Sequence, residues 1–326
     1  MKERNIGIDI LKFLAVLLIT NSHMELLYGK YSVLATGGTI GDALFLFCSG
    51  FTLFMKPMTS IREFPDWYKR RINRIYPTVL AIAVIKCTFF GGHSTINDII
   101  LHGGGWFVSC IMIYYVFIFL IGLYLRKHIN LIIVLVSLAS CVWFFTLERP
   151  FPFNMYGLEG GYLKWLLYFN FMLLGAKVGS MAQQADGSSA ARHLICALLG
   201  IVGFYAFYMA GVKVEMVESL EVLNFIPLLF GVYYLYRWAN GQSARRLYTN
   251  KTGHFVVRFI GGLCLEVYLI QDCLFTDRLN ALFPLNLLIV FLAIVVTAYL
   301  ARCLARLISQ TFREAPYEWR AIIDKY

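Results

Sequence analysis

The sequence predicts an all-α integral membrane protein with about ten transmembrane helices, on three observations. Hydrophobic residues fill 59% of its 326 positions and charged residues only 15%. Apolar runs long enough to cross a bilayer recur from one end of the chain to the other. The Lys and Arg residues gather in alternate loops between those runs. A soluble domain is about 45–50% apolar and about 25% charged, so this composition would leave a large apolar surface in water. Lipid removes that cost.

A helix needs roughly 20 apolar residues to cross a hydrocarbon core of about 30 Å. Breaks at charged and Gly- or Pro-containing stretches delimit ten segments: 8–27, 37–55, 74–91, 105–125, 129–147, 161–179, 193–211, 221–238, 258–276 and 284–307. The third, with Lys86, and the ninth, with Glu266, are the weakest. With the N-terminus inside, 22 of the 29 Lys and Arg fall on cytoplasmic segments. Only Lys30, Arg149, Lys213 and Arg278 fall on outer loops. Cytoplasmic loops of membrane proteins are rich in basic residues. The expectation is therefore a cell (inner) membrane protein with both termini cytoplasmic. Dropping one span would scramble the alternation.

The same placement explains the net charge of +10 without a nucleic-acid partner; lipid is the expected neighbour. Lys2 and Arg4 before an apolar run imitate a signal peptide, but no small-residue cleavage site follows, so the run reads as a retained first span. Eight Cys lie mostly within apolar runs, with no CxxC and no zinc-type Cys/His spacing. They read as small buried hydrophobes, and no metal is expected. Nothing marks off a repeat or a soluble segment. A single transmembrane domain over 1–326, with no appended soluble domain, is the expectation.

The first span carries Asp9, Lys12 and His23. Ionisable residues within a span tend to face a protein interior or cavity, and are functional candidates. Eleven residues at about 100° each return His23 to within roughly 20° of Lys12, about 16 Å further along the axis. Asp9 precedes Lys12 by one helical turn, so the three form one polar stripe. The alternatives are interfacial snorkelling for Asp9 and Lys12, and a structural bond to a neighbouring helix for His23.

In the second span, Ser49-Gly50 sits in an aromatic-rich helix where small residues permit close helix approach. Asp42, near its outer end, is a candidate for the same cavity as His23. The following loop is the most basic of the chain and ends in WYKRRINRIYP. Arg71 and Arg74 share a helix face, with Arg70 one turn before Arg74. Arg forks match phosphate oxygens in bidentate geometry, although topology and anionic headgroups also call for basic residues here. Span four opens with GGGWFVS after His102. Trp106 and His102 are candidates for a sugar-binding mouth, and an interfacial anchor is the other reading of the Trp.

These motifs resemble acyltransferase family 3, integral membrane acyltransferases many of which O-acetylate bacterial polysaccharides. The family's first-span signature of a basic residue, ten residues and a His is matched by Lys12 and His23. Its aromatic stretch ending Ser-Gly is matched by FLFCSGF, and its Arg-x-x-Arg by Arg71 and Arg74 before Ile75-Tyr76-Pro77. Two positions depart from the pattern. Ala43 stands where many relatives are acidic, and Tyr268-Leu269-Ile270-Gln271 ends in Gln where relatives often have His.

The resemblance implies transfer of an acyl group, most often acetyl from cytoplasmic acetyl-CoA, to a hydroxyl of an envelope or exported glycan or lipid-linked saccharide. It implies His23 as the base, Asp9 and Lys12 as tuning groups on the donor side, and Arg70, Arg71 and Arg74 as the holders of donor phosphates. Ser49 is implied near the thioester, or as a packing residue. Direct transfer and a transient acyl-His both fit, as do succinyl or longer donors. A transporter or flippase is the rival reading, against which stand the absence of a repeated half and of matched broken helices in the sequence.

Overall fold

The computed structural model describes residues 5–92, 95–102, 105–149, 151, 153–157, 159–181, 189–312 and 315–324. Among these residues all regular structure is helical. In chain order the α-helices are α1 (Ile6–Ser22), α2 (Glu25–Tyr28), α3 (Gly38–Phe54), α4 (Phe64–Phe89), α5 (Trp106–Tyr124), α6 (Ile129–Thr146), α7 (Gly161–Ser180) and α8 (Ala190–Lys213). They continue with α9 (Glu215–Glu218), α10 (Phe225–Ala239), α11 (Gln242–Thr249), α12 (Lys251–Gly262), α13 (Cys264–Ile270), α14 (Leu285–Thr311) and α15 (Trp319–Ile323).

Each of the ten expected spans coincides with a helix, but fewer than ten are long and apolar enough to cross a membrane. Five qualify alone: Ile61–Phe89, Trp106–Tyr124, Arg126–Thr146, Ala190–Lys213 and Leu285–Thr311. Two more qualify as bent pairs, α1 with Glu25–Leu34 at 63° and α12 with Cys264–Cys273 at 55°. The described residues therefore hold five to seven such spans. The shortfall has a local cause. α3 has 17 residues and α10 has 15, below the roughly 20 that a crossing needs. α7 has 20 residues but carries Lys164, Asn170 and Lys177.

The first bend alters the expected setting of His23. Helix α1 stops at Ser22, so His23 lies one residue beyond the helix and not within a continuous span. Polar side chains here compete with the helical ladder. The Ser22 hydroxyl donates to the Ile19 carbonyl at 2.8 Å. The Asn21 amide donates to the carbonyls of Leu34 and Thr36 at 2.8 and 2.9 Å, pulling the following segment back. The second bend follows Gly261 and Gly262, residues that tolerate a kink.

By contacts the chain divides into two compact units. The first comprises Met1–Leu11, Asp42–Thr59 and Ile118–His254. Within it α8 packs on α10, and α6 on α7. A glycine seam joins α3 to α7. A methyl group at Gly50 would collide with the Met172 carbonyl, and one at Gly175 with that of Phe47. Arg126 closes the end of α3, donating to the Phe54 carbonyl at 2.5 Å and the Lys56 carbonyl at 3.3 Å.

The second unit comprises Lys12–Gly41, Ser60–Phe117 and Phe255–Tyr326. Here α4 packs along α14, and α13 contacts both. The buried Asn286 amide donates to the Leu27 carbonyl and to Asn280, at 2.9 and 3.1 Å. Glu266, the acid that weakens the ninth segment, is paired. Arg302 grips its carboxylate through two bonds of 3.1 and 2.9 Å and also reaches the Gly262 carbonyl exposed by the helix break. One guanidinium thus closes the kink and neutralises the intramembrane acid.

Two stability outcomes follow from this packing. Gly175→Val is expected to destabilise the protein by about 1–3 kcal/mol through overpacking, seen as a lower melting temperature of the purified protein. Glu266→Ala is expected to cost about 3–5 kcal/mol by stranding the Arg302 charge, and Glu266→Ala with Arg302→Leu to recover part of it. Equal loss in the single and double variants would show that the pair is not what matters.

Candidate functional site

The candidate residues fall in both units. Lys12, His23, Arg70, Arg71, Arg74 and Trp106 belong to the second; Asp9, Asp42 and Ser49 belong to the first. His23 follows the last turn of α1, where its backbone N–H donates to the Thr20 carbonyl at 3.2 Å. Its side chain is exposed, and among the described residues no group hydrogen-bonds its ring. An imidazole in that setting is accessible to a substrate proton. Lys12, on the helix before it, is half-buried.

The basic cluster opens α4. Pro65 sits in the first turn of this helix, where its missing N–H costs nothing. Arg70 and Arg74 are exposed, whereas Arg71 is half-buried with its guanidinium 5.1 Å from the ring of Trp67. Trp67 is itself buried and meets Tyr115 edge-on at 6.1 Å. This aromatic bed shields Arg71 Nε, which has no hydrogen-bond partner among the described residues. Nor does a carboxylate pair with any of the three arginines among those residues. The Tyr76 hydroxyl donates to the Ile100 carbonyl at 2.9 Å, which anchors the helix below the cluster. Three cations on adjoining positions, one with an orphaned N–H, fit an anion of phosphate type.

In the first unit Asp9 is buried, and Tyr248 donates to its carboxylate at 2.9 Å. Asp42 is buried too. The Tyr168 hydroxyl bonds its carboxyl and Lys164 lies within electrostatic reach, while Asp42 Oδ1 has no partner among the described residues. Ser49 is half-buried beside the Gly50 contact, so the Ser-Gly pair serves at least the closure of α3 on α7. Ala43, at the position acidic in many relatives, is fully buried.

Trp106 is the first residue of α5, half-buried and edge-on to Phe107 at 5.5 Å. His102 ends a short π-helix, Asp98–His102; its side chain and the neighbouring Gly103 and Gly104 lie outside the described residues. Gln271, where relatives often have His, is buried, with its amide oxygen unpartnered among the described residues.

Sequence reading missed Trp67 and Tyr248. Trp67 lies four residues before Arg71, a spacing that does put two side chains on one helix face. Tyr248 is 239 positions from Asp9, and no local pattern joins them.

Neither a curated protein nor a solved structure gives a match to this chain. A family model does: the acyltransferase domain of acyltransferase family 3 matches residues 5–306, nearly the whole chain. This match agrees with the helical architecture. The chain therefore belongs to acyltransferase family 3, and is a membrane acyltransferase that transfers groups other than amino-acyl groups.

Proposed function

We propose that this enzyme is an O-acetyltransferase that carries acetyl from cytoplasmic acetyl-CoA to a hydroxyl of an envelope or exported glycan, free or lipid-linked. The observation that carries the reading is the arginine cluster of α4, where Arg71, with a shielded N–H unpartnered among the described residues, shares a helix with the exposed Arg70 and Arg74. Arg70, Arg71 and Arg74 would hold the phosphates of the donor, whose thioester supplies the activated acyl group. In this reading the basic loop is cytoplasmic, the chain crosses ten times, and both termini are inside a cell membrane. The short helices α3 and α10, and the polar α7, would cross while packed against protein. Protein packing spares such helices much of the apolar length that lipid would demand.

His23 acts as the general base. A ring nitrogen of an imidazole is suited to accept that proton. His23 takes the acceptor hydroxyl proton as the oxygen attacks the thioester carbonyl, the C–S bond breaks, and the proton passes to the departing thiolate. Lys12 and Asp9 orient the donor side, with Tyr248 holding the Asp9 carboxylate in place. Ser49 lies near the thioester. Asp42, Trp106 and His102 belong to the acceptor side. A transporter would share the many spans, the intramembrane charges and the two bent helix pairs; family membership weighs for the enzyme.

Two measurements test the assignment, using purified protein, labelled acetyl-CoA and the glycan of the producing cell. His23→Ala is expected to lower acetyl transfer by about 100-fold or more while the protein still accumulates in the membrane. Transfer at the normal rate would remove the base. Arg74→Ala is expected to raise the half-saturating acetyl-CoA concentration about tenfold, the size of one lost charge-assisted bond. Unchanged donor dependence would remove the phosphate role. If label passes to no glycan even with the unaltered protein, the acetyltransferase reading falls.

A further inference from the structure

A second polar cluster lies in the first unit, where α8, α9 and the turn before α10 meet. Glu221 and Asn224 begin and end a single 3-10 turn, Glu221–Asn224. Residues i and i+3 of such a turn eclipse one another, so their side chains leave on one face. Glu221 is 2% exposed and Asn224 is 0% exposed. Both Glu221 carboxylate oxygens and Asn224 Nδ2 lack a hydrogen-bond partner among the described residues. Buried polar groups are nearly always satisfied; three orphans on one turn call for a partner.

The surroundings define its chemistry. Glu218 is already taken by Arg149, whose Nε donates to its carboxylate at 3.1 Å while the guanidinium lies 3.8 Å from the Phe144 ring. Arg149 and Glu218 lie within electrostatic reach of Glu221, as do Tyr156 and Tyr208. The Tyr156 hydroxyl donates to Asn224 Oδ1 at 2.8 Å, which leaves the amide Nδ2 as the end without a partner among the described residues. A cation would satisfy Glu221 but not an amide donor. An O–H group satisfies both, donating to the carboxylate and accepting from the amide.

Aromatic rings continue the row. Tyr156 lies 5.6 Å from Tyr168 and 5.8 Å from Phe204, and Phe204 stacks on Tyr208 at 6.3 Å and 13°. Tyr168 in turn bonds Asp42, which carries the next orphaned oxygen. Leu220, just before Glu221 in the chain, is 45% exposed.

We infer that Glu221, Asn224 and Tyr156 form a hydroxyl-binding subsite for the carbohydrate acceptor. The inference rests on the acetyltransferase reading and adds where the sugar is held. A structural water offers the same O–H chemistry, and the experiment separates the two sources.

The full chain in nanodiscs is titrated, without donor, with three probes: methyl β-glucoside, methyl β-galactoside and methyl N-acetyl-β-glucosaminide. Saturation-transfer NMR reads the binding. At least one glycoside is expected to receive saturation, with its dissociation constant raised about tenfold by Glu221→Gln and by Asn224→Ala. Saturation of none, or equal constants in the variants, means the groups hold water only and overturns the subsite. If Glu221→Gln does not accumulate, Tyr156→Phe, which releases the Asn224 amide but keeps the ring, carries the test in the same direction. Because the donor is absent, a lack of acetyl transfer sinks the parent reading alone. Transfer with unaltered acceptor dependence in Glu221→Gln sinks only the subsite.

Discussion

Charge within an apolar helical protein must be matched locally, because lipid offers no water to solvate what the fold leaves bare. Most of the buried ionisable groups obey this. Arg302 holds Glu266, Arg149 holds Glu218, and Tyr248 meets Asp9. These matches fix helix ends and breaks as well as charge, as when Arg302 also takes up the Gly262 carbonyl at the kink. Against that background several atoms unmatched among the described residues stand out, among them Arg71 Nε, Glu221 Oε1 and Oε2, Asn224 Nδ2 and Asp42 Oδ1. In the proposed reading a donor anion would meet the first, and hydroxyl groups of an acceptor would meet the others.

The packing between helices follows a related economy. Lipid tails are as apolar as leucine, so helices associate through close contact more than through hydrophobic burial. The Gly50 and Gly175 seam lets α3 and α7 meet backbone to backbone. It also explains why a Ser-Gly pair ends an aromatic stretch: the rings of Phe47 and Phe51 pack against Tyr236 while the glycine edge closes on α7. The Ser-Gly motif thus has a structural task in the closure of α3 on α7.

Much of the fold was legible because it is a solvent argument. Composition, run length and loop charge each read the same bilayer, and every expected span coincides with a helix. The number of crossings was less legible. A run of apolar residues records hydropathy but not where polar side chains interrupt the ladder. Asn21 and Ser22 end α1 early, and Gly261 with Gly262 bends the ninth segment. Hence His23 stands at a turn, although spacing alone put it inside a span.

By itself the sequence determined the membrane class, the family and the identity of the basic and histidine groups, since each depends on composition or on short spacing along one helix. Only the tertiary structure decided which polar groups are already spoken for. Glu266 and Arg302 lie 36 positions apart, Arg149 and Glu218 lie 69 apart, and Asp9 and Tyr248 lie 239 apart. A charge looks the same in the sequence whether or not it has a partner. Its availability for chemistry is set by distance in space, which the chain acquires only on folding.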